Sequence, residues 1–284
     1  MSAELARQLA SIRNPRILVV GDYIQDMEIY CTAERFAQEA PHCPVWKFGD
    51  AHGRPGGAGA VAAMVTALGA EMIVICTIPA LAATKTRYFI GDVQMLRVDH
   101  ESVIPRPEES EKLAKEIDKA SRHADCVLVA DYGKGFCTPA ILKAAIEGAK
   151  ARGIPCIADP HYNPWYYYKG ATCLKLNQQQ AKKTANPLSC LVEFPIIVQT
   201  EGDEGILLCV RNHPDTSWEA RPSKLVDVTG AGDMVLAVLG FCIAGGMQWS
   251  AACQVANVAA GLKCERRGAV GVPLAEIVAE LESM

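Results

Sequence analysis

Two features of the 284-residue chain predict an α/β fold whose mostly parallel central sheet is covered on both faces. Short β-rich apolar runs alternate with helical patterns, and the runs are almost continuously apolar, as strands buried on both faces are. Two segments that break this rhythm predict a small antiparallel insertion.

In order, the predicted strands are RILVVGD (16–22), AEMIVIC (70–76), DCVLVAD (125–131), IPCIADP (154–160), ATCLKLN (171–177) and FPIIVQTEG (194–202). Helical patterns fall near 56–69, 108–122 and 138–152, and GAGDMVLAVLGFCIAGG and WSAACQVANVAAGLKC read as two buried helices rich in small residues. The irregular segments, 27–50 and 86–101, have alternating and aromatic character without helical period, and Gly91-Asp92 is a plausible hairpin turn within the second. They read as a β-flap. Three predicted strands end in an acid, Asp22, Asp131 and Asp159, and another in Asn177. Ligands of open α/β sheets bind at the carboxyl ends of the strands, so this edge is the expected site.

Half of the residues are hydrophobic, enough for a sizeable core, and the formal net charge of −4 supplies no general basic field to attract nucleic acid or an anionic membrane. Any phosphate must be bound locally. The twelve cysteines include no C-x-x-C pair and several lie in apolar runs, which predicts a reduced, cytoplasmic protein. No apolar run reaches the length of a membrane span, and the first residues lack an apolar signal core.

Two glycine-rich turns compete for attention. Gly57-x-Gly59-x-x-Ala62 satisfies a dinucleotide fingerprint on paper, but GDAHGRP before it does not read as a strand and AEMIVIC ends in Cys76 rather than an acid. Gly56-Gly57 reads better as a hinge. In VDVTGAGDMVLAVLG, glycines free the amides of Gly230, Ala231 and Gly232 to point at one place at the positive end of a helix. Such donors stabilise charge on a transferred phosphoryl group. Asp233 then fits a base that orients an acceptor hydroxyl and takes its proton; it fits equally a residue that caps the helix.

The chain resembles the ribokinase-like (PfkB) carbohydrate kinases, and among them the D-glycero-β-D-manno-heptose 7-phosphate kinases. Matching stretches in order are ILVVGDYIQD, EAPHCPV, RPGGAGAVA, TKTR, LRVDHE, ADYGKG, IADP, GATCLKLN, QTEGDEG, DVTGAGDMV and ANVAAG; only 77–84 fails to align. The resemblance implies a single three-layer α/β/α ribokinase-like kinase domain over 1–284, with a small inserted β-lid from about 27–55 and 85–101. It implies transfer of the ATP γ-phosphate to a sugar hydroxyl with Mg2+, a heptose 7-phosphate being the leading acceptor, and a homodimer paired through the lid. Asp233 matches the base, with Gly230, Ala231 and Gly232 as the anion hole. Asp22 and Asp26 match acids that hold sugar hydroxyls, Gly56 and Gly57 the lid hinge, and Asp131 with Lys134 the turn facing the substrate. Lys85 and Arg87 are candidates for a sugar phosphate, and also fit solvated charges on a flap strand. On the nucleotide side, Asn177 matches a residue near the ATP phosphates and magnesium. Thr200, Gly202 and Gly205 match a TxGxxG turn, Thr229 belongs to the anion-hole motif, and Asn257 lies in the helix bordering the adenine.

Several positions depart from the family pattern. Ala60 stands where the lid motif carries an Asn, Gln180 replaces the Glu of Asn-x-x-Glu, and His161 replaces a Lys. The step from MIVIC to TKTR is too short for the family's helix and further strand, so a βα unit at the sheet edge is missing. A kinase-derived nucleotide-binding or regulatory protein with little turnover, and a kinase for a nucleoside or simple hexose, are the alternative readings.

Overall fold

A computed structural model describes residues 2–78, 81–101, 107–161, 164–183, 193–221 and 224–284. Its larger sheet has eight strands in the order β12-β11-β10-β9-β8-β7-β1-β4. These are β1 (Arg16–Gly21), β4 (Glu71–Cys76), β7 (Cys126–Ala130), β8 (Cys156–Asp159), β9 (Cys173–Asn177), β10 (Ile196–Thr200), β11 (Ile206–Val210) and β12 (Thr216–Trp218). The run from β4 to β10 is parallel, and β11 and β12 extend it antiparallel.

The continuous apolar runs have the predicted cause. Ile17 and Val19 of β1 face one core and Leu18 and Val20 the other. The first core is closed by α1 (Ser2–Ser11), α2 (Ala58–Ala67), α6 (Ala231–Ala244), α7 (Trp249–Cys264) and α8 (Leu274–Ser283); the second by α3 (Pro107–Ser121) and α4 (Pro139–Arg152). A period of two thus buries every residue of the strand. Small residues in α6 and α7 let the two helices lie against each other. A short α5 (Gln178–Lys183) follows β9. The described cysteines are free thiols, and burial pushes the thiol of Cys156 up to about 12, which keeps it inert.

The rhythm-breaking segments form a second sheet, ordered β3-β2-β5-β6, from β2 (Tyr23–Phe36), β3 (Pro44–Gly57), β5 (Ala83–Ile90) and β6 (Val93–His100). Two details differ from expectation. GDAHGRP is part of β3, an end strand exposed along much of its length, so it shows no burial pattern for a sequence reading to detect. Second, β2 pairs with β5 in parallel, because the chain crosses the larger sheet through α2 and β4 before it returns. The hairpin between β5 and β6 turns at Gly91-Asp92.

Gly57 joins the two sheets. Its φ is +57°, a Cβ there would strike the carbonyl oxygen of Asp22, and that oxygen accepts the N–H of Ala58 at 2.8 Å. The end of β1 and the start of α2 are therefore fixed by backbone alone. Strand β4 ends the larger sheet, and the chain passes from Cys76 to Ala83 of β5 without another strand of that sheet between them; residues 79–80 are outside the description. Val74 is correspondingly 40% exposed.

Candidate active site

Helix α6 starts immediately after Gly230, whose left-handed backbone (φ 80°, ψ 5°) no side chain would tolerate beside Ala269, 2.8 Å from the place of its Cβ. Of the three amides read as an anion hole, that of Ala231 donates to the carbonyl of Val228 at 3.1 Å and is spent on the turn. The Gly230 and Gly232 amides meet no acceptor among the described residues. Thr229 donates its own amide to Asp227 Oδ1 at 2.8 Å, which sets the approach to the turn.

Asp233, in the first turn of α6, is not a cap: the helix carries no side-chain cap, and Asp233 Oδ1 instead accepts the hydroxyl of Tyr132. Burial raises the Asp233 pKa, and Asp159 adds to this; the Tyr132 hydroxyl, Lys175 and Lys85 pull it back down. The upward shift makes its carboxylate a stronger base than a free one.

Beneath the turn lies a buried pair, Lys175 Nζ to Asp159 Oδ2 at 2.6 Å. The Lys175 ammonium comes within 3.0 Å of where a Cβ on Gly232 would stand, so the glycine leaves room for the charge. Lys175 and Tyr132 are additions to the sequence reading. Each had a signal: a lone charge inside the apolar strand CLKLN, and an aromatic between the two charges of DYGK.

The acids at the strand ends are drawn together, but much of their capacity is used internally. Asp22 is buried, and its carboxylate accepts the amides of Tyr132 (2.8 Å), Lys134 (3.2 Å) and Phe136 (2.9 Å). Its pKa is raised by burial and by Asp131 against those three bonds. Asp131, also buried, accepts the Gly133 amide at 2.8 Å and the Tyr168 hydroxyl. Both acids therefore shape the 131–136 loop that carries Tyr132 and Lys134.

Groups nearer the second sheet are less enclosed. Asp26 pairs with Arg87 at 2.8 Å, and Lys134 pairs with Glu101. Lys85 is half-buried; burial lowers its pKa, Asp26 and Asp99 oppose this, and Arg97 and Lys134 reinforce it. Asp26 lies beside Gly56, where a Cβ would meet its Oδ2.

On the other side of the turn a cleft of about 440 Å3 is lined by Thr200, Gly202, Gly205, Ala231, Gly232 and Asn257, among apolar neighbours that include Val228, Val235 and Ala260. Asn257 Nδ2 reaches across to the backbone carbonyl of Glu219 at 2.6 Å, and Thr200 Oγ1 to that of Leu176 at 3.3 Å. Asn177 sits beside Thr200 in register but outside this lining. Its Oδ1 accepts the Gln180 amide at 2.9 Å while Gln180 Oε1 accepts the Asn177 amide at 2.6 Å, a reciprocal cap on α5. At position 180 the departure from the motif thus becomes a local brace. Ala60, at the departure in the lid motif, is fully buried in α2.

Residues 79–275 match the pfkB family of carbohydrate kinases. The chain belongs to that family. Membership implies a phosphotransferase with an alcohol group as acceptor and the use of ATP. It is 34% identical to the bifunctional protein HldE of Caulobacter vibrioides, over 98% of this chain and 66% of that protein. With the HldE of Gluconacetobacter diazotrophicus it shares 31%, over 94% of this chain and 64% of that one. The pfkB chain thus spans under two thirds of the length of these relatives. Among solved structures it resembles Arabidopsis thaliana ribokinase complexed with ribose and ATP (15% identity, TM-score 0.68, 95% and 99% of the two chains). It also resembles a Burkholderia thailandensis nucleoside kinase (17% identity, TM-score 0.72, 93% and 99%). At these identities the likeness is one of fold, and the three-layer ribokinase-like architecture is shared. No helix of the described residues is long and apolar enough to cross a membrane.

Proposed function

We propose that this pfkB protein phosphorylates a sugar phosphate, with a heptose 7-phosphate as the leading acceptor, and that Asp233 is the base. The observation that carries the reading is the juxtaposition of a pKa-raised carboxylate with two open glycine amides at a helix N-terminus. ATP supplies the γ-phosphoryl group. Asp233 orients the acceptor hydroxyl and takes its proton as the oxygen attacks. The Gly230 and Gly232 amides and the N-terminus of α6 stabilise the developing charge, with the Lys175 ammonium beneath.

The cleft that contains Thr200, Gly202, Gly205, Ala231, Gly232 and Asn257 fits a nucleotide, because an apolar wall for a base leads to amides suited to phosphate. Mg2+ would be carried by the triphosphate. Around Asn177 and Gln180 the chain offers neutral amide oxygens, each already accepting the other residue's main-chain N–H, so phosphate oxygens would supply most of its ligands.

The acceptor would lie between the 131–136 loop and the second sheet, acting as a lid. Lys85, Arg87, Lys134 and Asp26 would face it from those elements, and the cations would suit an acceptor that already carries phosphate. ADP release with a panel of sugars, sugar phosphates and nucleosides tests the assignment. Turnover is expected to be largest with a heptose 7-phosphate. A simple hexose or nucleoside that outperforms every sugar phosphate would reverse it, and nucleotide binding without turnover on any acceptor would favour the regulatory reading.

Tyr132→Phe gives a second expected outcome. The rate is carried by ionised Asp233 and falls as pH drops through its pKa. Loss of the hydroxyl donor raises that pKa, so the acid limb of the kcat/KM profile moves to higher pH. An unmoved limb would separate Tyr132 from the base.

The same reading includes a homodimer through the lid. Val93, Met95, Leu96 and Val98 are 61%, 52%, 48% and 47% exposed along β6, an end strand of the second sheet. Sedimentation should give a dimer for the wild type, and Met95→Lys with Val98→Lys a shift towards monomer. A wild-type monomer at all concentrations would rule the dimer out.

A further inference from the structure

One buried charge near the turn has no part in the chemistry above. Lys263, in the last turn of α7, is fully shielded from solvent. An ammonium is buried at a large penalty unless its hydrogens are matched, and here the match is to main-chain oxygens. Lys263 Nζ donates to the carbonyl of Asp227 at 2.8 Å and to that of Arg266 at 3.3 Å.

Those two carbonyls belong to the two segments that frame the glycine turn. The 226–229 segment, which delivers Gly230, is tied to the end of α7 by the amides of Val226 and Asp227, both donating to the carbonyl of Cys264 at 2.8 and 3.0 Å. It is tied to the 266–269 segment by Asp227 Oδ2, which accepts the Gly268 amide at 2.7 Å, and Ala269 packs against Gly230. The ammonium sits at the crossing of these ties. A packing role alone would be met by an apolar side chain of the same length; carbonyl ligation in a closed space is what a small monovalent cation would make. The end of a helix also favours positive charge. Burial lowers the Lys263 pKa, while Asp227 and, more weakly, Asp233 favour its charged form.

We propose that Lys263 is a positioning residue whose ammonium serves as a built-in monovalent cation, fixing the Asp227–Gly230 backbone and so aiming the Gly230 and Gly232 amides. The catalytic half of this inference rests on the kinase reading; the structural half does not.

The test uses Lys263→Ala, which vacates the space, and Lys263→Met, which fills it without charge. Unfolding temperatures are first measured without nucleotide in potassium, ammonium and tetramethylammonium chloride at equal ionic strength. Lys263→Ala should melt below wild type and recover partly in potassium or ammonium, not in tetramethylammonium; wild type and Lys263→Met should show no such preference. Equal melting of Lys263→Ala in all three salts would overturn the built-in cation. Turnover is then measured on the best acceptor. Lys263→Met should lose about tenfold in kcat, less than the ~100-fold of losing a direct donor, with KM for ATP little changed. The small cations should restore kcat to Lys263→Ala alone. Wild-type kcat in Lys263→Met would overturn the positioning role, and this arm decides if Lys263→Ala does not fold. Should the wild type transfer phosphate to no acceptor, the kinase reading fails while the melting arm still decides the cation.

Discussion

Asp233→Asn is expected to cut acceptor-dependent turnover at least ~100-fold while ATP binds almost as before, because a lost general base is worth 10²–10⁴-fold. The substitution keeps the shape of the side chain, and the amide oxygen can still accept the Tyr132 hydroxyl. What disappears is the capacity to take a proton. The nucleotide cleft, built from the 200–205 turn, the start of α6 and Asn257, loses no contact. Steady-state ADP release gives kcat, and calorimetry with a non-hydrolysable ATP analogue gives affinity. Turnover that survives in Asp233→Asn would remove the residue from the chemistry.

Lys175→Met is expected to destabilise the protein by about 3 kcal/mol near neutral pH, since breaking a buried ion pair from one side leaves an uncompensated charge. Lys175 and Asp159 are 4% and 12% exposed at their side chains, so solvent screens the pair little. Even with its partner, the Asp159 pKa is raised, with burial as the largest cause and Lys175 opposing it. Without the lysine it rises further. A carboxyl whose folded pKa lies above its unfolded value contributes most when protonated and loses that contribution as pH rises through the folded pKa. The deficit of Lys175→Met should therefore be larger at about pH 8 than at about pH 5, as read from urea unfolding. A deficit of the same size at both would mean that lost packing, not the stranded carboxylate, causes it.

The sequence made the larger sheet legible for a definite reason. Strands such as Ile17–Val20 and Cys126–Ala130 are buried on both faces, so every position carries the signal. The lid strands do not have that signal: β3 is held by its backbone ladder and leaves most side chains in solvent, so GDAHGRP does not read as a strand. The parallel pairing of β2 with β5 depends on a crossing through the larger sheet, which no local pattern encodes.

At the site, the glycine turn and its acid were readable because the residue types are so constrained. The uses of Asp22 and Asp131 were not, since an acid at a strand end suits a ligand hydroxyl and a loop amide equally, and only the folded 131–136 loop shows which donors arrive. Gln180 is similar: the loss of a charge was visible, but not the brace it forms with Asn177. Lys175 and Lys263 are each a charge in an apolar run, a signal the sequence reading does not use, and two of their partners, Asp159 and the Asp227 carbonyl, come from other segments of the chain.

The central claim is transfer of a phosphoryl group to a sugar phosphate, and phosphorus NMR of the completed reaction tests it most directly. Wild-type protein with ATP, Mg2+ and D-glycero-β-D-manno-heptose 7-phosphate should yield ADP and a sugar bearing two phosphates in equal amounts, with no free phosphate. ATP left intact, or ADP matched by free phosphate with the sugar unchanged, would contradict it.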